Sequence, residues 1–368
     1  MLTSWRIIWH KKIRFILSSA GVSMACIIMF LEQGFFNGVI DSQSNITHLI
    51  QGELVVFHRA RTHLNKWNSY KDIHSFQIRG LDAIDSVIPV YKTTMGLRNS
   101  DTDQIKSIIV YAFPADTIPI DFGASPEVMS KIKLPRVVLF DRKSRDIYGE
   151  IGNDIELDGN IFDVADYINM GPNIIHDGIV VMSQGQLLTT KPGQNPVMAV
   201  IKLKQPGNVD SVKRFIEQNY EKLTVMTPEE LAAREIKFMS TAAPVGIIFG
   251  IGMLAGFVIG VIICYQILFN EITDLLPQYA TLKAMGFSKI YLGRLIVEQA
   301  FFLALAGYFL SLPIIIFLYK KISEATLLPI YLMWEHAVFL LLLTMLMCVF
   351  AGFIAMRKVW HADPAELF

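Results

Sequence analysis

Four stretches of this chain are long and apolar enough to cross a lipid bilayer, and that limits every other reading. They are Phe15 to Leu31, Pro244 to Phe269, Leu295 to Phe317 and Ala337 to Met356. Each approaches the roughly 20 residues that a helix needs to span about 30 Å of hydrocarbon. Lipid offers no partners for backbone polar groups, so each stretch is expected to be helical. Between the first and second lie Asn37 to Thr241, on the order of 200 residues, enough for one or two compact domains. Lys and Arg total 33 and Asp and Glu total 33, which excludes the basic footprint of a nucleic-acid-binding protein.

Arg6, Lys11, Lys12 and Arg14 precede the first stretch, a pattern shared with secretory signals. No A-x-A-like cleavage site follows, and the apolar run continues through Phe30 and Leu31. A retained span is expected. Basic residues near the span ends set orientation. The N-terminal cluster, Lys283, Lys289 and Arg294 after the second span, and Arg357 and Lys358 after the fourth fall on one side, which places both termini in the cytoplasm. The expected division is therefore a cytoplasmic segment 1–14, a first span and stalk 15–36, an extracytoplasmic domain 37–226, a stalk helix 227–243 and a second span 244–269. A cytoplasmic loop 270–294, a third span 295–319, a short outer loop 320–336, a fourth span 337–356 and a cytoplasmic tail 357–368 complete it.

The large domain alternates short β-rich runs with helical ones. Glu53 to Phe57, Ser107 to Ala112, Val137 to Phe140, Gly178 to Met182 and Val197 to Lys202 read as strands, and Val209 to Tyr220 as a helix. The mixture predicts a four-helix membrane protein carrying a large α+β domain between helices one and two. All three cysteines, Cys26, Cys264 and Cys348, fall inside spans. The domain must therefore be held by its own core without disulfides. At its end, Thr227-Pro228-Glu229-Glu230 spells a helix start. Thr227 can cap, Pro228 needs no N–H at the first helical position, and Glu230 can reach back to close a capping box. The helix runs on without a breaker to Pro244, where a kink or restart is expected.

Motifs for chemistry are missing. No G-x-x-x-x-G-K-[ST] nucleotide loop, H-E-x-x-H, C-x-x-C or G-x-S-x-G occurs. His58 and His63 flank a basic run but have no carboxylate or cysteine at metal-ligand spacing. No catalytic, metal-binding or cofactor-binding residue is expected. Few ionisable residues fall within the spans, which argues against an ion-coupled carrier. Two further features stand out. Gly252, Gly256 and Gly260 recur every fourth residue in the second span, a stripe that lets helix backbones approach closely, within one chain or across a homodimer. In the following loop, Tyr279, Ala280, Thr281, Leu282, Lys283, Ala284, Met285 and Gly286 read as a short helix, with Tyr279, Leu282 and Met285 as its apolar strip. Gly286 is placed to end it in a Schellman cap with Phe287 folding back on Leu282.

These residues carry a resemblance. The N-terminal SWRIIWHKKIRFILSSAGVSMA, the internal VLFDRKSRDIYGEIG, the run from PVGIIFGIGM to YATLKAMGFSK and the terminal ADPAELF together resemble the FtsX-like permeases of ABC transporters. The similarity is to the MacB and LolC/LolE types and above all to the DevC type. It implies a homodimeric, multi-pass permease of the bacterial inner membrane with a periplasmic domain. A separate cytoplasmic DevA-like ATPase would bind ATP and Mg and receive the loop helix. It further implies a mechanotransmission mechanism, a DevB-like membrane fusion protein, a TolC-like outer-membrane channel, and a glycolipid or other hydrophobic substrate. Membrane lipids are expected contacts and nucleic acid is not. Two other roles known among similar proteins are regulation of a cell-wall hydrolase and release of lipoproteins.

Overall fold

The computed structural model describes residues 12–66, 68–71, 73–173, 175–242 and 244–361. The N-terminal residues 1–11 and the terminal ADPAELF, residues 362–368, lie outside the described residues. The chain divides into a helical unit, comprising the part up to Gly38, Pro244–Thr326 and the part from Ile330 on, and a β-rich unit of Val39–Ala243 with Leu327–Pro329.

Four helices of the described residues are long and apolar enough to cross a membrane. They are α1 (Lys12–His48), α7 (Pro244–Asp274), α9 (Lys289–Thr326) and α10 (Trp334–His361). At 1.5 Å per residue, the 37 residues of α1 extend about 55 Å, well beyond the hydrocarbon thickness. No Pro or exposed Gly pair interrupts it after Leu31, so the helix continues through Gln33 to Gln43 and beyond. Three polar contacts link neighbouring helices of the helical unit. The Tyr308 hydroxyl donates to the Ala337 carbonyl at 2.8 Å, and the Tyr319 hydroxyl donates to that of Phe30. Asn37 Nδ2 lies 2.9 Å from His336 Nδ1. In lipid each such bond contributes roughly 0.6–2 kcal/mol to helix association.

In the β-rich unit, nine strands are formed by the described residues. They are β1 (Leu54–His58), β2 (Ile84–Arg98), β3 (Ile105–Phe113), β4 (Val137–Asp141), β5 (Asp154–Leu157), β6 (Asn160–Ile168), β7 (Ile179–Ser183), β8 (Met198–Leu203) and β9 (Leu223–Met226). Their order is β3-β7-β4-β6-β5-β2-β8-β1-β9, and β2 also pairs with β3. The first six strands thus close into a ring, while β2 passes on into an open sheet. The 15-residue β2 does both by dividing its length: Ile84 to Val90 pair with β8, and Tyr91 to Arg98 with β3. Short helices α2 (Ile73–Arg79), α3 (Pro126–Ser130), α4 (Gln184–Thr190), α5 (Val209–Asn219) and α6 (Pro228–Lys237) fill the connections.

Period-two alternation distributes the strand side chains between cores. Leu54 and Val56 of β1 join Ile78, Val212 and Ile216 under α2 and α5, whereas Val55 and Phe57 pack with Val90, Tyr111 and Leu231. Both faces of β1 are buried, which is why it reads as an unbroken apolar run. The ring encloses a third core of Met95, Leu97, Val110, Phe140, Leu157 and Val180. The Asp158-Gly159 turn joining β5 to β6 has positive φ at both residues, +46° and +80°, as a two-residue hairpin with strand-matched twist requires.

Candidate coupling and packing sites

The loop helix lies between two spans. Helix α8 (Leu276–Ala284) follows α7 after a single residue and ends before α9. Gly286, at φ +90°, terminates it, and the Phe287 N–H donates to the Leu282 carbonyl at 3.1 Å, the long bond of a Schellman motif. Ser288 then caps α9, its hydroxyl accepting from the Tyr291 N–H at 3.2 Å. The Phe287 ring stacks toward Tyr291, with centroids 4.9 Å apart.

The apolar strip expected of α8 is divided. Tyr279 is 4% exposed, Leu282 is half-buried and Met285 is 62% exposed. A spacing of three on a helix falls about 60° short of a full turn at each step, so Tyr279 and Met285 point roughly 120° apart. Burial pushes the Tyr279 phenol up to about 12, the Glu271 carboxylate adds to this, and Gln299 opposes it. Tyr279 therefore faces its own chain, while Met285 lies on the surface and Leu282 at its edge. Thr281 is exposed and its hydroxyl returns to the Pro277 carbonyl at 2.9 Å. The side chains of Ala280, Lys283 and Ala284 lie outside the described residues.

The glycine stripe of α7 is occupied from within the chain. A Cβ on Gly252 would meet the Glu32 carboxyl at 2.5 Å, and one on Gly256 would meet Met29 Cγ at 3.1 Å. On Gly260 it would come 2.0 Å from Met347 Sδ and 3.1 Å from Ala25 Cβ. In this chain the close neighbours of the stripe are residues of α1 and α10. On the other side of α1, Gly307 of α9 plays the same part against Val22, at 2.6 Å. Absence of side chains on α7 and α9 lets α1 sit close to both backbones.

In the β-rich unit, Thr227 and Glu230 form a capping box at the start of α6. Thr227 Oγ1 accepts from the Glu230 N–H at 3.2 Å, and Glu230 Oε2 accepts from the Thr227 N–H at 3.1 Å. Lys213 Nζ donates to Glu230 Oε2 at 2.6 Å, and this bond holds the Glu230 carboxyl below its ordinary range. After Lys237 the helix widens into a π-turn, Phe238–Ala242, before restarting at Pro244.

Sequence reasoning missed a buried polar network beside α6. Arg61, Lys92 and Glu235 are 2%, 8% and 3% exposed. Arg61 donates to the carbonyls of Val197 at 2.5 Å, His63 at 3.3 Å and Leu64. Both Glu235 oxygens accept from the Leu64 N–H at 3.0 Å. Lys92 Nζ donates to Asn65 Oδ1 at 2.9 Å, and Asn65 Nδ2 donates to Gln43 Oε1 at 2.8 Å. Burial pulls the Lys92 ammonium down to about 7; Arg61 lowers it further and Glu235 opposes. Nothing in the local sequence brings these residues together, since they come from α1, the 61–65 turn, β2 and α6. Asp141 was missed likewise. It lies within VLFDRKSRDIYGEIG, is fully buried, and accepts backbone N–H groups from Lys143, Met170 and Gly171 at 3.1, 3.1 and 2.8 Å. Burial outweighs these bonds and raises its carboxyl. Among the described residues no group of three or more His, Cys, Asp or Glu is arranged to hold a metal ion.

Residues 247–364 match the profile of the FtsX-like permease C-terminal domain. No curated protein sequence matches the chain. Among solved structures, the extracellular domain of the noncanonic ABC-type transporter YknZ from Gram-positive bacteria is similar at 13% identity and TM-score 0.36. That match covers 48% of this chain and 100% of the other. The periplasmic region of MacB from Actinobacillus actinomycetemcomitans is similar at 11% identity and TM-score 0.35, covering 50% of this chain and 92% of the other.

Proposed function

We propose that this chain is the permease subunit of an ABC-type transporter, driven by a separate cytoplasmic ATPase that docks on α8. The observation that carries this reading is a capped helix between two spans, inside the stretch matching the FtsX-like permease domain, with Met285 left exposed. The resemblance to ABC permeases supplies the motor as a separate subunit, since this sequence carries no nucleotide loop. Leu282 and Met285 enter the cleft of the ATPase. Nucleotide-driven movement there passes to the spans α7 and α9, which flank α8. α1 and α6, the helices that lead from the spans into the β-rich unit, carry it outward, in the manner called mechanotransmission.

The finer assignment follows the DevC-like segments. It places the protein in the bacterial inner membrane with both termini cytoplasmic and the β-rich unit periplasmic. It makes the chain one half of a homodimer working with a DevA-like ATPase, a DevB-like fusion protein and a TolC-like channel, to export a glycolipid or similar hydrophobic compound. Because α1 fills the glycine stripe, the dimer contact falls to another face of α7, where Ile251, Leu254, Val258 and Ile262 are exposed.

Reconstitution of the permease with its cognate ATPase tests the central point. Leu282→Asp and Met285→Asp place a carboxylate in an apolar contact, at a cost of several kcal/mol if it stays charged. We expect loss of permease-dependent ATPase stimulation with the permease still folded. Unchanged binding and stimulation in both variants would remove α8 as the docking element.

A further inference from the structure

We infer that the turn Arg61–Asn65 is a shared anchor through which α1 and α6 are tied to each other and to the β-rich unit. Five attachments converge on these five residues. Asn65 holds Gln43 of α1 at 2.8 Å and Lys92 of β2 at 2.9 Å. The Leu64 N–H is held by Glu235 of α6 at 3.0 Å, and Arg61 donates to the Val197 carbonyl leading into β8. The His63 ring stacks on Phe238, the first residue past α6, with centroids 4.4 Å apart and planes 13° from parallel. Next to these, the Arg234 guanidinium lies 4.5 Å over the Phe57 ring of β1, which fixes α6 to the sheet on its other side.

The anchor is built from buried polar and charged groups. Arg61, Lys92 and Arg234 all act electrostatically on a single carboxylate, Glu235, so cations outnumber the anion among the described groups of this network. Gln43 Nε2 and two Arg234 nitrogens, Nε and Nη2, are buried with no partner among the described residues. Buried donors left without acceptors weaken the folded arrangement, and removing Glu235 would add the Leu64 N–H to them. Such a network holds one geometry sharply and loosens as a unit when that geometry is disturbed. Its place on the two helices that lead to the spans gives it a role. Movement of either helix is passed to the turn, and from the turn to the other helix and to β2 and β8.

The movement itself rests on the permease reading, but the anchor is tested without ATPase or transport. Hydrogen exchange would be measured on the full chain in lipid nanodiscs, for peptides covering α1 residues 41–48, the turn 59–66, α6 residues 228–237, and β3 and β7 as references. Gln43→Met removes the bond on the α1 side with an uncharged side chain of similar size. Glu235→Met removes the acceptor on the α6 side. In a local opening regime we expect exchange to rise about tenfold in the turn and in the helix opposite to the substitution, with β3 and β7 unchanged. Faster exchange confined to the substituted helix in both variants would overturn the anchor. Should Glu235→Met deprotect β3 and β7 as well, Gln43→Met alone decides, by whether α6 exchange rises.

Discussion

Lys92 shows how costly a single buried charge is in this domain. Its ammonium is pulled down to about 7 by burial, with Arg61 repelling it and Glu235 only partly compensating. In the unfolded chain a lysine titrates near 10.4. Between about 7 and about 10.4 the unfolded state binds more protons than the folded one, so the stability of the domain rises with pH across that window. Below it both states are protonated and the full penalty is present. Lys92→Met is expected to raise the melting temperature at neutral pH and to flatten the rise, by an amount on the order of a few kcal/mol. Thermal unfolding of the two proteins at several pH values between 6.5 and 10 checks this, and parallel profiles would show that Lys92 is not responsible. Glu235 sits at the other extreme: burial raises its carboxyl although Arg234, Arg61 and Lys92 all lower it. Neither residue announces itself in the sequence, because a buried ionisable group differs from a solvated one only in what surrounds it.

At the scale of elements, local signals and long-range ones part company. The start of α6 is written in four consecutive residues, Thr227 to Glu230, and the two bonds of the capping box lie within the same four. Thr227→Ala is expected to cost about 1 kcal/mol by removing the cap. Chemical denaturation of the β-rich unit measures it, and Thr227→Ser, which keeps the hydroxyl, should recover most of the loss. Gly286 is legible for the same reason: its φ of +90° is needed by the turn itself. Each of the five apolar runs read as a strand coincides with one, three of them beginning a residue early at Glu53, Gly178 and Val197, whereas β2, β5, β6 and β9 carry no such run. β2 contains Pro89 and the polar Lys92, Thr93 and Thr94, yet it is the strand that joins ring and open sheet. Pro89 is tolerated because that half of β2 has β8 on one side only. The α8 strip misled for a geometric reason, the 60° lag of a three-residue spacing, which becomes decisive only when one side of the helix is buried.

For the whole molecule, separate construction of the two units has a consequence. The β-rich unit has three cores of its own, drawn from strands and helices between Ile46 and Leu231. A fragment covering 39–243 is expected to fold in water and to unfold in one cooperative step, without the spans. Circular dichroism and a denaturant melt test this; a fragment lacking cooperative unfolding would mean that the spans supply part of the fold. The helical unit has no such independence, because its exposed surface, including Ile251, Leu254 and Phe353, is apolar.

By itself the sequence determined the four spans, the domain between the first two, the caps of α6 and α8, and the absence of a nucleotide loop. These depend on runs of composition or on residues within a turn of one another, and such information is local. Only the tertiary structure decided that α1 fills the glycine stripe of α7, that Tyr279 belongs to the interior and Met285 to the surface, and that Gln43, Arg61, Asn65, Lys92 and Glu235 meet. The bonds that tie Gln43, Asn65, Lys92 and Glu235 into the network join residues from 22 to 171 positions apart, the other contacts depend on which side of a helix is covered, and neither periodicity nor spacing in a single chain encodes that.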